Sequence, residues 1–409
     1  MKVSGIVAEY NPFHNGHEYL MTTVRQSGAT HIICVMSGDF VQRAEPAVLD
    51  KFERAKCAVI GGADLVIELP VQYATASAER FARGAVQLLQ SLGCVDELAF
   101  GAGTDSLKAL ACAADAAARA DVIKRAKELS ENGIPFAASR STAIRELVGN
   151  DVARLVDDAD NILAIEYIRM LNEAGSVMMP HPILRAGVNH DSDAPDGKFA
   201  SAGLVRCLLR EGKCIKKFVP HYTANALEIA RNDGSLCLNW QLLERLLFAR
   251  LRSMTTDEYS HLPDGGGGLA ERLRTAAERA HSVEELFELV KTKRYAMSRV
   301  RRITLCALLG ITNSDFFAPP YARILAVGRG GEELLNLMKR TSHIPFFHSV
   351  LKLSELGSNA LRAAQLSMNA AEMYSLAIPK LSQKGRDCTT KLYNINSDKQ
   401  IVIEKDMCE

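Results

Sequence analysis

The run Gly5-Ile6-Val7-Ala8-Glu9-Tyr10-Asn11-Pro12-Phe13-His14-Asn15-Gly16-His17 constrains this chain more than any other feature of it. A short apolar segment ends in a proline-containing turn, and two histidines follow where the next helical pattern starts. A buried strand that runs into a helix in this way opens a βαβ unit. The N-terminus of that helix offers unpaired backbone N–H groups and the positive end of a dipole, so phosphate can bind there. Gly16 lets a ligand approach the backbone closely. The His14 and His17 imidazoles can donate to phosphate oxygens and stabilise charge that builds up when phosphorus is attacked. The competing reading is a structural pair of histidines.

The segments that follow repeat the pattern. Residues 31–36, 64–69 and 97–100, like 2–8, are strand-length and rich in Val, Ile and Leu, and 176–184 reads as a fifth strand. Crossover helices fit between them, which predicts an α/β class fold with a Rossmann-like parallel sheet. The spacing predicts an Ala-rich helix over 106–131, helix from 141 onward that includes 161–172, a polar loop over 185–198, and a helix over 199–210 whose N-terminus carries Ser201. From about 214 helical patterns dominate, at 239–254, 269–280, 283–291, 297–309, 331–339 and 359–376. At 409 residues the chain exceeds what one core usually organises, so two domains are expected, 1–213 and a mostly helical 214–409. Asp264 and the four glycines after it lack the Lys-Ser/Thr of a phosphate loop and read as a connector. The tail from about 383 is polar, either a cap or loosely held.

Charge bounds the partners. Lys and Arg number 49 against 48 Asp and Glu, so nothing global draws the chain to a polyanion, and a nucleic-acid site has to be a local patch. One patch stands out: Lys291, Lys293, Arg294, Arg299, Arg301 and Arg302 fall within twelve residues that contain no acid, with Tyr295 among them. An RNA-backbone footprint with Tyr295 stacked on a base fits this run, and so does a solvated face. Lys213, Lys216 and Lys217 would extend the footprint. No apolar run reaches the roughly 18 residues that a membrane span needs, and a cytoplasmic protein is expected. The ten cysteines are scattered without a C-x-x-C pair, so reduced thiols and no metal site are expected.

His14-Asn15-Gly16-His17 after a first strand resembles the H-x-G-H motif of the nucleotidyltransferase superfamily. With Met36-Ser37-Gly38-Asp39-Phe40-Val41-Gln42-Arg43 and Ala63-Asp64-Leu65-Val66-Ile67-Glu68-Leu69-Pro70, the opening string resembles the family of bacterial tRNA(Met) cytidine acetate ligases. The likeness continues at Lys293-Arg294-Tyr295 and Tyr321-Ala322-Arg323-Ile324-Leu325. It implies an ATP-binding nucleotidyltransferase-like domain over 1–213 and a tRNA-binding helical domain over 214–409. The implied enzyme adenylates acetate with ATP, releases pyrophosphate, and passes the acetyl group to the N4 amine of the wobble cytidine of elongator tRNA(Met), forming N4-acetylcytidine.

The same resemblance implies ATP contacts along Val7, Ala8, Glu9, Tyr10, Asn11, Pro12, Phe13, His14, Asn15, Gly16, His17, Glu18, Tyr19 and Leu20, and at Gly101, Asn161, Arg185 and Ser201. His14, His17 and Arg206 are the expected catalytic residues, with Mg2+ able to accompany the phosphates. Ser201-Ala202-Gly203-Leu204-Val205-Arg206 stands where the superfamily's second phosphate motif opens a helix. There Ser201 can cap the helix and touch a phosphate, and Arg206 can bind β or γ oxygens. Gly203 replaces a usual hydroxyl residue, and Ala102-Gly103 a usual Ser-Glu pair. Gly101, Asn161 and Arg185 each keep a plain alternative: a turn glycine, a helix cap and a surface charge. Asp39, Gln42 and Arg43, after the second strand, are expected to orient acetate or the cytidine. The same first domain also suits an adenylyltransferase for a small phosphorylated cofactor precursor, or an RNA-binding protein without turnover. The sequence leaves the oligomeric state open.

Overall fold

The computed structural model describes residues 1–187, 194–350 and 356–396. Residues 188–193 of the expected loop, the tail beyond 396 and Cys408 lie outside the described residues. The strands are β1 (Val3–Ala8), β2 (His31–Ser37), β3 (Phe40–Val41), β4 (Glu45–Pro46), β5 (Leu65–Leu69), β6 (Glu97–Ala102), β7 (Met179–Leu184), β8 (Ala322–Val327), β9 (Phe346–Phe347) and β10 (Tyr393–Asn394).

Alternation along the strands decides their burial. Ile33 and Val35 of β2 join a core on one face of the sheet with Leu65, Ile67 and Leu98. Ile32, Cys34 and Met36 join a second core on the other face with Ile6, Val66 and Ala99. Strands that are apolar on both faces must be covered by helices on both sides, which is how parallel sheets are built. The main sheet runs β10-β8-β5-β2-β1-β6-β7, with β9 also paired to β8. β5, β2, β1, β6 and β7 are parallel, in the Rossmann-like arrangement expected. The order reverses between β1 and β6, so the carboxyl ends of these two strands flank the crevice where open α/β sheets bind ligands.

The expected boundary at 213/214 does not divide the sheet. Residues 322–394 supply β8, antiparallel to β5, together with β9 and β10. Leu334, Leu335 and Met338 of helix Gly331–Thr341 enter the same core as β1 and β2. The helical unit is made instead by Glu244–Ser253, Leu269–Arg279, Val283–Val290, Met297–Leu309 and Ser358–Ser375, around Leu247, Leu273, Leu286, Val300 and Leu366. Phe40 and Ala44 of the loop after β2 belong to that same cluster, so the helical unit holds this loop directly.

Charge as well as apolar burial draws the C-terminal segment back. Arg323 Nη1 lies 2.9 Å from Glu68 Oε2 and 2.8 Å from Asp387 Oδ2. Lys51 Nζ lies 2.9 Å from Glu68 Oε1 and 2.5 Å from Asp387 Oδ1, and all four side chains are buried.

The helix expected over 106–131 is two, Leu107–Ala118 and Ala120–Glu131. Arg119 between them is extended, with ψ 134, and the turn lays the second helix against Phe136–Leu147. The nine cysteines among the described residues are free thiols. No helix among the described residues is long and apolar enough to cross a membrane.

Candidate active site

The site starts from the backbone. β1 delivers its end to the switch point, and a cis Asn11–Pro12 peptide turns the chain into helix Asn15–Gln26. His14 is the N-cap: its Nδ1 accepts the Gly16 N–H at 3.0 Å, while the His14 N–H donates to His17 Nδ1 at 3.2 Å. This is a reciprocal capping box made from two imidazoles. The rings stack with centroids 3.7 Å apart, and Tyr10 packs its buried ring against His17 at 4.9 Å. A neutral imidazole whose Nδ1 accepts carries its proton on Nε2. Both rings line the cleft, so the cap that satisfies the helix also sets two N–H donors side by side in it. Gly16 is required for a reason other than the one its spacing suggests. A Cβ there would come within 2.9 Å of His14 Cε1, so the close approach is filled by the His14 ring itself.

Around the histidines the cleft gathers Val7, Ala8, Glu9, Tyr10, Asn11, Gly16, Tyr19 and Leu20, then Gly101 from β6, Arg185 beyond β7, Ser201, and the loop residues Gln42 and Arg43. Ser201 is the N-cap of helix Ala202–Arg210, with its hydroxyl accepting the Leu204 N–H at 3.0 Å. A second helix N-terminus thus opens on the cleft. Arg185 Nε lies 3.3 Å from Asp160 Oδ1, and its stem passes over Gly101. Glu9 is the one carboxylate on the cleft wall among the described residues. Its Oε1 accepts the Gln42 N–H at 2.7 Å, which ties the loop after β2 to the end of β1. Burial raises the Glu9 carboxyl above its ordinary value against the pull of Arg206 and Arg43.

Several expected residues stand elsewhere. Pro12, Phe13, Asn15, Glu18 and Asn161 do not line the cleft. Phe13 is core. Asn15 Nδ2 donates to the Lys198 and Lys217 carbonyls at 2.8 and 3.0 Å, tying the helix start to both flanks of Ala202–Arg210. Glu18 accepts the Tyr222 hydroxyl at 3.1 Å. Asp39 is buried behind the loop, its Oδ1 accepting the Lys51 N–H at 2.8 Å, and burial pushes its carboxyl up to about 6. Its work is to hold a helix start, not to meet a ligand. Arg206 is 6% exposed, donates from Nη1 to the Asn11 carbonyl at 2.9 Å, and sets Nε 2.9 Å from Glu45 Oε1. It lies on the wall of a neighbouring cavity and braces the proline turn from behind.

Asn161, 1% exposed, accepts the Gly103 N–H on Oδ1 at 2.9 Å and donates from Nδ2 to Asp158 Oδ2 at 3.2 Å. A Cβ on Gly103 would stand 2.6 Å from Asp158 Oδ2, so a glycine at 103 is what lets the two segments meet. The expected outcome of Asn161→Ala is a loss of about 1 kcal/mol, because the buried amide's hydrogen bonds to the Gly103 N–H and to Asp158 go with it. A denaturation midpoint equal to wild type would return Asn161 to the ligand side.

Sequence reading missed the apolar wall formed by Phe81, Phe100, Leu163, Tyr167, Ile183 and Phe199. These residues come from five separate elements and loops, and no local motif marks them. Among the described residues no group of three or more His, Cys, Asp or Glu side chains is arranged to hold a metal.

The basic run divides in two. Tyr295 is buried and donates its hydroxyl to the Gly267 carbonyl at 2.5 Å, so it is not a stacking platform. Arg299 donates to the carbonyls of Asp264 and Gly266, and Arg302 pairs with Asp264 at 3.0 Å. These three staple the glycine-rich loop. Lys291, Lys293, Arg294 and Arg301 are exposed, as are Lys213, Lys216 and Lys217.

A family model described as HIGH Nucleotidyl Transferase matches residues 1–388. The chain is 36% identical over 396 residues to the tRNA(Met) cytidine acetate ligase of Thermoanaerobacter sp. (strain X514), covering 95% of this chain and 98% of the relative. It is 33% identical over 415 residues to the enzyme of that name from Acetivibrio thermocellus, covering 96% and 99%. Its fold is similar to two crystal structures of Thermotoga maritima TmcAL, one apo (TM-score 0.90) and one with bound alpha-thio ATP (TM-score 0.88). Each is 30% identical and covers 96% of this chain and 100% of that one.

Proposed function

Because the chain belongs to the HIGH nucleotidyl transferase family, and within it to the tRNA(Met) cytidine acetate ligases, we infer that it is an ATP-dependent ligase that acetylates the wobble cytidine of elongator tRNA(Met). The observation that carries the chemistry is the His14–His17 capping box at the switch point, which sets two ring N–H donors on one cleft. The expected unpaired N–H groups of this helix start are not available, because those of Asn15, Gly16 and His17 go to the Phe218 carbonyl, His14 Nδ1 and the His14 carbonyl.

An acetate oxygen attacks the α-phosphorus of ATP, the α–β anhydride bond breaks, and pyrophosphate leaves. His14 and His17 donate to the phosphate oxygens as charge builds up, and the Ser201 helix N-terminus holds the far end of the triphosphate. Arg206 keeps the Asn11–Pro12 turn, and with it His14, in register; it reaches a phosphate only by exchanging Glu45 for it. Mg2+ would neutralise charge on the phosphates, and the phosphates themselves would have to hold it, since no cluster of His, Cys, Asp or Glu among the described residues is arranged to do so. The apolar wall of Phe100, Tyr167 and Ile183 suits the adenine, with Gly101 and Arg185 beside it. In the second step the cytidine N4 attacks the acetyl carbonyl, the acyl–phosphate C–O bond breaks, AMP leaves, and the amine proton passes to Glu9. Positioning and charge stabilisation supply the acceleration without a covalent enzyme intermediate. The reaction belongs in the cytoplasm, where tRNA and ATP meet.

Two measurements test this reading. Pyrophosphate exchange into ATP should depend on acetate; exchange supported only by a phosphorylated acceptor would favour the cofactor adenylyltransferase instead. Mass spectrometry of bulk tRNA from cells lacking the protein should lack the acetyl group on the wobble cytidine.

The helical unit is assigned to tRNA through its exposed cations. Changing Lys293 and Arg294 together to Ala is expected to weaken tRNA binding and to reduce the salt slope by about one unit per lost phosphate contact. Acetate-dependent exchange should be spared. Unchanged affinity and slope would make the run a solvated surface.

A further inference from the structure

A second cavity adjoins the cleft, and Arg43 and Ser201 stand on the walls of both. Its walls come from the sheet unit, through Glu45, Val48 and helix Ala202–Arg210, and from the helical unit, through Phe287 and Arg301. Its lining sets a distinctive chemistry. Arg43, Arg206, Arg210 and Arg301 face it, together with Trp240, which is half-buried and is the only tryptophan in the chain. Three carboxylates also face it. Glu45 is paired with Arg206 at 2.9 Å, and Glu244 accepts the Val283 N–H at 2.9 Å, so both are engaged within the protein. Glu284 is exposed at the rim. Arg210 and Arg301 are exposed and can turn to a ligand.

The second half-reaction needs an amine to reach a mixed anhydride held beside Arg43 and the histidines. A passage that leads to Arg43 from outside, carrying an indole face and guanidinium donors, matches an unstacked base with its flanking phosphates. A folded protein surface would not enter it, and a small phosphorylated metabolite would leave the indole unused.

We propose that this second cavity is the acceptor subsite, in which Trp240 stacks a single-stranded nucleotide of the RNA substrate and Arg210 and Arg301 hold its phosphates. The proposal rests on the ligase reading above and adds the route by which the cytidine arrives.

The test uses the whole chain and its single indole, whose fluorescence reports this cavity alone. Titration with the anticodon stem-loop of elongator tRNA(Met) should quench it saturably, and ATP with acetate should leave it unchanged. Trp240→Ala should raise KM for tRNA about tenfold, in line with the loss of one base–aromatic stack, with acetate-dependent pyrophosphate exchange at the wild-type rate. Trp240→Phe should restore most of the KM, and the melting temperature of Trp240→Ala should stay near wild type, which a packing defect at this position would not allow. Arg210→Ala, at an exposed site that cannot unfold the chain, should also raise KM for tRNA. No quenching by the stem-loop, or an unaltered KM in both the Trp240→Ala and Arg210→Ala variants, overturns the subsite. Quenching by ATP instead assigns the cavity to the first substrate and overturns it too. Absence of acetate-dependent exchange in the wild type would count against the ligase reading alone, because the fluorescence titration needs no turnover.

Discussion

His17→Ala should lower acetate-dependent pyrophosphate exchange by about 100–1,000-fold, the loss typical of removing one preorganised donor from a developing oxyanion. The size of the effect follows from a double role. His17 accepts the His14 N–H on Nδ1, and that bond leaves its proton on Nε2 for the substrate. Alanine removes the donor, and it also orphans the His14 N–H, so the His14 ring, stacked at 3.7 Å, loses its neighbour. The cost to the helix cap alone is only about 1 kcal/mol, so melting temperature and tRNA affinity should stay close to wild type. His17→Asn offers both an acceptor and a donor on a shorter arm and should recover part of the exchange. A variant that loses folding and exchange together would show that the histidine is structural.

The second large effect is on stability. Arg323→Ala should cost about 3–5 kcal/mol, the range for removing one partner of a buried ion pair. Arg323 is 2% exposed and is shared by Glu68 and Asp387, so its loss leaves two buried acids with Lys51 as their remaining cation in this cluster. The damage should spread, because β8 and the Arg386–Thr389 helix are joined there to β5. Burial alone would raise the Asp387 carboxyl, but Lys51 and Arg323 outweigh it and hold it below the ordinary carboxylate range. A group depressed in this way adds stability above its unfolded value of about 3.9, and loses it as pH falls through the folded value. Urea midpoints against pH should therefore fall more steeply on acidification in the wild type than in Asp387→Asn. A loss under about 1 kcal/mol in Arg323→Ala would mean that the network is replaceable by water or rearrangement.

Much of the first domain was legible from short range. The strands, the paired histidines and the Ser201 cap depend on alternation and on contacts within a few residues, and the structure keeps all of them. β8 was equally strand-like, six buried residues reading Ala-Arg-Ile-Leu-Ala-Val, yet it lay among helical patterns and its antiparallel partner is more than 250 residues earlier. Spacing says nothing about a pairing so remote. Tyr295 and Asp39 look like ligand residues in sequence because each is a polar group next to a motif. Their partners, Gly267 and Lys51, turn them inward.

The sequence by itself determined a parallel sheet whose first turn carries two imidazoles, since local backbone geometry and strand periodicity leave few other outcomes. Only the tertiary structure decided which polar residues face the cleft and which serve the frame. Arg43 reaches the open wall while Arg206 is spent on Glu45 and Asn11, and Trp240 is carried from the helical unit to the cavity beside the cleft. The reason is physical: a side chain's reach is a few ångströms, and whether a ligand or the protein's own backbone occupies that distance depends on segments that meet only when the chain folds.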